Sequence, residues 1–135
     1  MLKAIDLYTK CFTQVWKALS VDFREKEVEI DLNESKGAQE LVGSDAELVE
    51  RALGLVLKSA LTQTLRGTEV RVTVGSSEGK LAVCIRDHGP GMEDHQFEPL
   101  YSTDRLQQWG IICKAKSHKF DEYPDDHGTS LTIVF

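Results

Sequence analysis

Hydrophobic side chains recur at helical spacing in two parts of the chain. In residues 3–20 the apolar positions are three or four residues apart, which predicts an amphipathic helix with one face on a sheet. A second helix is predicted over residues 45–65, because Ser44 and Glu47 have the spacing of a capping box and Gly67 follows as a stop signal. The later part of that helix is apolar on most faces, as expected of a central, buried element.

Strands are predicted where apolar and polar residues alternate and near the end of the chain. They cover residues 26–32, 68–74, 80–86 and 129–135. The middle two flank a turn rich in glycine and serine and form an antiparallel hairpin, whereas residues 33–43 are turn-like and residues 110–119 predict a short helix. The pattern predicts an α/β fold in a single domain over residues 1–135: a two-layer α/β sandwich, with a mixed sheet covered on one face by helices.

Composition narrows the function classes. The chain of 135 residues is 41% apolar and 28% charged, which is typical of a soluble globular domain. Its net charge of −6 and scattered basic residues argue against a nucleic-acid surface. Three cysteines without CxxC spacing favour neither a disulfide framework nor a zinc site, and no apolar run reaches membrane-spanning length. We therefore expect a cytoplasmic protein that contacts neither nucleic acid nor, through this chain, a membrane.

The candidate chemistry lies directly after the third predicted strand. Residues 87–92 read DHGPGM, so that one carboxylate, Asp87, enters a tight turn that contains Gly89 and Gly91. Glycine has no Cβ and adopts positive φ readily, while the proline between them fixes its own φ. A ligand can therefore approach this stretch of backbone closely.

Together with FEPLYST at residues 97–103, this turn resembles the motifs of the histidine-kinase branch of the Bergerat-fold ATPases, the group shared with gyrase and mismatch-repair ATPases. The resemblance covers nearly the whole chain. It implies that Asp87 accepts a hydrogen bond from the adenine amino group of ATP, and that the hydroxyl of Thr129 holds a bridging water beside it. The alternative for Asp87 is a turn carboxylate that accepts only from neighbouring backbone N–H groups.

The chain departs from this family at the metal-binding position. The family's central helix carries an asparagine that holds Mg²⁺ in a pattern like NLLxNAxKxT, and Lys58 stands at that position here. Lysine has no lone pair for a metal, and the chain's only asparagine, Asn33, is predicted to lie in a loop, so Mg²⁺ binding is not expected. Lys58 either belongs to a decayed site and extends to solvent, or places its ammonium on a phosphate in place of the cation.

The phosphate-binding glycines of the family are also depleted. A second glycine box, GxGLGL, there lines the triphosphate with backbone N–H groups at a helix start. This chain reads QQWGI at residues 107–111, so Gly110 alone survives, and Trp109 would crowd the space that the family leaves open. Trp109 is better explained as a core or partner contact. The four histidines lie in turns or in the C-terminal third, away from any helix with a phosphoacceptor pattern.

These observations favour a histidine-kinase-like ATP-binding domain of a two-component signalling protein, degenerate in its metal and phosphate sites. It would act mainly by docking a response-regulator receiver or a partner kinase, with Trp109 and Tyr101 as anchors. ATP binding would be weak, and no residue has an assigned catalytic role. The alternative is a working sensor-kinase catalytic domain that binds ATP in an altered way. The candidate nucleotide-binding residues are Asp87, Gly89, Gly91, Lys58, Gly110 and Thr129.

Overall fold

The computed structural model describes residues 1–89, 103–119 and 127–135. The helices are α1 (Ala4–Glu25), α2 (Ala46–Gln63) and α3 (Thr103–Gln108), with a 3₁₀ turn at Lys36–Gln39. The strands are β1 (Leu2–Lys3), β2 (Glu29–Glu34), β3 (Leu41–Val42), β4 (Glu69–Ser77), β5 (Lys80–Arg86), β6 (Ile112–Lys119) and β7 (His127–Val134). Among these described helices, none combines the length and apolar character needed to cross a membrane.

The main sheet has five described strands in the order β2-β4-β5-β7-β6. β2 and β4 are parallel, as expected for two strands joined through a helix, and the other neighbouring pairs are antiparallel. Helices α1 and α2 pack against each other, α1 contacts β4 and β5, and α2 contacts β5. The architecture is the predicted two-layer α/β sandwich, with a mixed sheet covered by helices on one face.

The core lies between the helices and one face of the sheet. Alternate residues of β4 and β5, such as Val72 and Val83, are fully buried, whereas their neighbours Thr73 and Cys84 are only partly buried. The same alternation continues in β7, where Leu131 and Ile133 are fully buried. Period-two patterning therefore assigns one face of the sheet to the core, and burial of each large aliphatic side chain contributes about 1.5–3 kcal/mol.

The first helix is longer than its sequence pattern predicts. It runs to Glu25 and buries Phe23, and it ends where the Val28 N–H donates to the Phe23 carbonyl oxygen (2.9 Å). Between them Glu27 has a positive φ of 60°, the left-handed conformation that usually falls to glycine at such an end. Because no glycine marks this end, the sequence carries little signal for it.

The second helix begins where predicted, but its cap is a different residue. Asp45 is the N-cap, and its Oδ1 accepts from the N–H groups of Glu47 (2.9 Å) and Leu48 (3.2 Å). The predicted capping box at Ser44 is therefore wrong. The Ser44 hydroxyl instead donates to the carbonyl oxygen of Phe135 (3.0 Å) and accepts from a β5 N–H (2.9 Å), so it ties the chain end to the sheet.

The helix predicted over residues 110–119 is wrong, because this segment forms β6. Ile112 pairs with Val134 and Lys114 with Thr132 in an antiparallel ladder. The backbone of β7 offers a second row of hydrogen-bonding groups beyond β5, and pairing them outweighs the weak helical spacing of a few lysines. β6 is thus the last strand on that side of the sheet in the part of the chain that the structure describes.

Candidate functional site

Asp87 connects the end of β5 to the start of β7. Its side chain is fully buried, and its Oδ1 accepts from the backbone N–H groups of Gly89 (2.9 Å) and Thr129 (3.1 Å). The backbone N–H of Asp87 also donates to the Thr129 carbonyl oxygen (3.0 Å). One carboxylate therefore organises both its own turn and the first residues of the last strand.

Close backbone approach explains two glycines beside Asp87. A Cβ at Gly89 would lie 2.5 Å from the carbonyl oxygen of Gln63, at the end of α2. A Cβ at Gly128 would overlap the carbonyl oxygen of Asp87. Neither glycine is required for positive φ, so packing of the turn against α2 and β7 is the reason that a side chain is excluded at both positions.

A threonine at the end of α2 holds the same turn from the helix side. Thr64 is buried, and its Oγ1 accepts from the His88 N–H (3.0 Å) and lies 2.7 Å from the Thr68 hydroxyl. The His88 ring contacts the Glu69 carbonyl oxygen through Nδ1 (2.7 Å). The sequence motif did not indicate Thr64, because a threonine just past a helix is common and only the fold brings it to the turn.

The hydroxyl of Thr129 lies in this site and makes no hydrogen bond to a described residue. The residue is 1% exposed, and its Oγ1 has no hydrogen-bond partner among the described residues. A buried hydroxyl without a partner is costly, by about 1–3 kcal/mol. The structure therefore offers Asp87 and Thr129 side by side, a carboxylate and an available hydroxyl, which suits recognition of an exocyclic amine.

Lys58 lies on the exposed side of α2 rather than in the Asp87 turn. It is five residues before Gln63, about 7.5 Å along the helix axis at about 1.5 Å per residue. Its ammonium forms no ion pair with a described carboxylate. It lines a groove of about 930 Å³ that α1, α2 and α3 enclose, together with Asp22 and Leu55.

Gly110 ends a helix. It has a φ of 79°, the Ile111 N–H donates to the Leu106 carbonyl oxygen, and the Gly110 N–H donates to that of Gln107 (3.0 Å each). Ile111 and Leu106 are both buried, which completes a Schellman motif at the end of α3. Carbonyl groups lie at this end, whereas the family's second glycine box presents N–H groups of a helix start.

Solved structures with this architecture are numerous. The catalytic domain of the histidine kinase ThkA superimposes with a TM-score of 0.69 at 13% identity, over 94% of this chain and 90% of that one. The histidine kinase AdeS of Acinetobacter baumannii gives 0.70 at 14% identity, over 95% of this chain and 64% of that one. The mycobacterial sensor histidine kinase MprB gives 0.61 at 14% identity, over 96% and 93%. No protein-family model and no curated protein sequence matches the chain.

The chain has the fold of a histidine-kinase catalytic domain. This confirms the Bergerat-type architecture that the motifs predicted, while identities this low show the fold alone. Within the fold, the structure brings together Asp87, Gly89 and Thr129. It places Lys58 on the neighbouring helix and Gly110 at a helix end. Two further predictions, Gly91 in the turn and Tyr101 as a docking anchor, lie outside the described residues.

Trp109 lines the groove of the three helices, as a contact surface would. It is half-buried, and the guanidinium of Arg51 lies 5.6 Å from its ring centroid. Arg51 also pairs with Glu47 one turn away (3.4 Å). Sequence reasoning did not single out Arg51, because an arginine on a helix surface gives no signal without its tertiary contact. In the described part of the chain, no cluster of three or more His, Cys, Asp or Glu side chains could hold a metal.

Proposed function

We propose that the chain is a degenerate, histidine-kinase-type ATP-binding domain of a cytoplasmic two-component signalling protein and acts mainly by docking a protein partner. The observation that carries the proposal is the combination of an assembled Asp87–Thr129 pair with a lysine at the family's metal position. The first feature supports recognition of adenine. The second removes the ligand that places Mg²⁺ on the phosphates.

Adenine recognition needs a carboxylate whose position is fixed and a hydroxyl beside it. Two backbone N–H groups hold the Asp87 carboxylate, so it is already oriented before a ligand arrives. Preorganisation of this kind reduces the entropy lost on binding. Thr129 Oγ1 is a further donor and acceptor without a described partner. Together they can bind the amino group of adenine directly and through one water.

The residues present do not fit Mg²⁺. Hard divalent cations take oxygen ligands, and the Lys58 ammonium is a donor that carries the same sign of charge. The chain's single asparagine, Asn33, lies in β2 rather than in the predicted loop, on the exposed edge of the sheet. We therefore derive no phosphoryl-transfer step, which in this chemistry depends on charge neutralisation by the metal.

Docking is supported by the groove of about 930 Å³ between α1, α2 and α3. Its floor contains small or aliphatic residues such as Ala18, Gly54 and Leu55, and Trp109 forms one wall. Half-buried tryptophan beside arginine is typical of interface anchors. The partner we propose is a response-regulator receiver or a partner kinase.

A nucleotide titration tests the first half of the proposal. A ligand held at about a hundred times its Kd stabilises a fold by about 2.7 kcal/mol, which raises the Tm of a domain of this size by several degrees. We expect 1 mM ATP to raise the Tm by only about 1 °C, since a Kd of about 1 mM adds only about 0.4 kcal/mol. The shift should be the same with Mg²⁺ and with EDTA. A large, Mg²⁺-dependent shift would show that the site is not degenerate.

The second candidate function is a working kinase domain in which Lys58 replaces the cation. Lys58 favours it, because its ammonium is exposed and has no ion-pair partner among the described carboxylates. Lys58→Met separates the two, with Lys58→Asn as the matched variant that restores the family's residue. If Lys58 binds phosphate, Lys58→Met weakens ATP binding more than adenosine binding. We expect no such difference, and no acid-labile phosphoryl group after incubation with labelled ATP.

Docking is tested by calorimetric titration of a receiver domain against the chain and its Trp109→Ala variant. Leu65→Ala is the control, because Leu65 is an apolar side chain that is 60% exposed next to α2 but lies outside this groove. We expect Trp109→Ala to weaken binding at least tenfold, the effect of about 1.4 kcal/mol at an interface hot spot. Equal affinities for both variants would place the docking surface elsewhere.

A further inference from the structure

Among the strands that the structure describes, β2 is the outer one at one end of the sheet, next to β4. The Glu29 N–H donates to the Thr68 carbonyl oxygen (3.3 Å) and the Ser35 N–H to that of Val74 (2.9 Å), so the odd-numbered residues face β4. Backbone groups alternate in direction along a strand. The N–H and C=O groups of Ile30 and Leu32 therefore point away from the sheet, as a row that another strand can extend.

An apolar groove of about 450 Å³ lies directly above this edge, between β2 and α1. Its α1 wall is an aromatic row in which Phe12 and Trp16 stack with ring centroids 5.4 Å apart. On the β2 side, Ile30 is half-buried and Leu32 is 46% exposed. Side chains of a strand added at the β2 edge would enter this groove at every second residue.

The opposite side of the same edge is acidic. Glu29 and Asp31 alternate with the apolar residues of β2, and Glu27 precedes the strand. Arg71 compensates Asp31 (3.4 Å), whereas Glu27 and Glu29 make no ion pair with a described basic residue. Alternation along β2 therefore turns Ile30 and Leu32 towards the helices and Asp31 towards the open face, while Glu29 borders both the groove and the pocket beside His88.

We propose that the β2 edge binds an extended segment of a partner protein in which large apolar residues alternate with lysine or arginine. The apolar residues fill the groove beside Phe12 and Trp16, and the basic residues lie beside Glu27 and Glu29. Arg24 lines the groove and repels a second cation there. The charge pattern therefore also determines which face of the bound segment points into the groove. The Glu27 and Glu29 end of this surface borders His88 of the Asp87 turn, but the proposed role does not depend on nucleotide binding.

A second copy of this chain fits the edge less well. Two β2 edges placed together would oppose like charges at Glu29 and Asp31, which disfavours pairing. The other edge strand, β6, alternates lysine with Cys113 and an alanine, residues too small to fill the aromatic groove. The occupant is therefore a segment of another protein with larger apolar side chains.

Fluorescence anisotropy with a labelled peptide of four Lys-Leu repeats tests the proposal. The control peptide has the same composition with the lysines and leucines in two blocks, and a second control replaces lysine by glutamate. We expect binding of the alternating basic peptide alone, and weaker binding as salt screens the charges. Equal binding of the block peptide would show attraction by net charge only and would overturn the proposal.

Two variants and their matched controls locate the site. Leu32→Gln and Glu29→Lys should each weaken binding about fivefold. The first removes the apolar area that the half-exposed leucine buries against the peptide, and the second reverses one exposed charge. Leu41→Gln, at a strand leucine that is 55% exposed, and Glu50→Lys should leave the Kd unchanged. If the control variants weaken binding as much as the test variants, the edge is not the site.

Amide hydrogen exchange gives a readout that a nonspecific contact would not reproduce. The outward N–H groups of Ile30 and Leu32 should gain protection when the peptide binds, while that of Glu29, already bonded to the Thr68 carbonyl oxygen, should change little. Sedimentation of the chain alone tests whether a second copy of the chain occupies the edge instead. Self-association that Leu32→Gln abolishes would identify a second copy as the occupant and overturn the proposal of a different partner.

Discussion

Replacement of Asp87 by asparagine or alanine separates its structural role from ligand recognition. Alanine removes the acceptor of two N–H groups, on Gly89 and Thr129, in a site where the carboxylate is 0% exposed. Each buried donor left without an acceptor costs about 1–3 kcal/mol, so Asp87→Ala should lower the free energy of unfolding by about 2–6 kcal/mol. That is a large part of the about 5–15 kcal/mol that stabilises a typical domain.

Asparagine keeps an oxygen in the place of Oδ1. Both backbone hydrogen bonds can form, but without the negative charge that makes such bonds about twice as strong. We expect Asp87→Asn to lower the free energy of unfolding by about 1–2 kcal/mol and still to lose the small stabilisation by ATP, because a neutral amide reads the adenine amino group more weakly. The stability and the ATP response of these variants then distinguish the structural role of Asp87 from its role in binding.

The matched control is Asp45, whose carboxylate also accepts from two backbone N–H groups but is exposed. Alanine at this helix cap should cost only about 0.5–2 kcal/mol, since water can satisfy the released N–H groups. Urea unfolding of the three variants and the unmodified chain, with unchanged m values, gives the comparison. If Asp87→Ala costs no more than Asp45→Ala, burial does not strengthen these bonds and the reasoning is refuted.

Three further predictions concern a close backbone approach, a buried hydrogen-bond acceptor and a buried thiol. Gly128→Ala should destabilise the fold by at least about 2 kcal/mol in urea unfolding, because its Cβ would overlap the Asp87 carbonyl oxygen; a neutral effect would contradict the close approach. Thr64→Val should lower the free energy of unfolding by about 1–3 kcal/mol, because it removes a buried acceptor, while Thr62→Val at an exposed helix position should change it little. Burial raises the pKa of the Cys113 thiol from 9.0 to about 11. The contribution of the neutral, buried thiol to the free energy of unfolding is therefore complete below pH 9 and is lost as the pH rises through 11. Site-resolved iodoacetamide labelling of Cys113 at pH 8 should therefore be about a hundredfold slower than in the unfolded chain, and equal rates would show an accessible thiolate.

The sequence predicted the fold well where the hydrophobic period was strong. The β4–β5 hairpin and the start of α2 appear close to their predicted places, because alternating valines and a capping residue specify local structure directly. β6 could not be predicted in this way. Its lysines have both helical and strand spacing, and only the unpaired edge of β7 decides between the two.

The candidate site likewise contains residues that a local motif indicates and residues that only the fold brings together. Asp87 was predicted from a local motif, and a tight turn keeps its residues together in any fold. Gly110 was matched to a phosphate-binding box by its letter alone, whereas its role depends on α3 ending there. Thr64 and Arg51 act through partners more than 20 positions away in the chain, at His88 and Trp109, so no local pattern could indicate them.

The two residues that the sequence motifs assign to adenine recognition, Asp87 and Thr129, are not equally informative about binding. Asp87 holds β5 and β7 together, so the fold alone would account for its presence even if the chain bound no nucleotide. The Thr129 hydroxyl stabilises nothing in the described structure. Thr129→Val should therefore change the free energy of unfolding by less than about 1 kcal/mol, or increase it, and yet remove the response to ATP. Ser130→Ala, at the adjacent buried hydroxyl, is the control for a general effect of altering this strand. If Thr129→Val binds ATP as the unmodified chain does, the hydroxyl is not part of an adenine site, and the retained Asp87 turn is structural only.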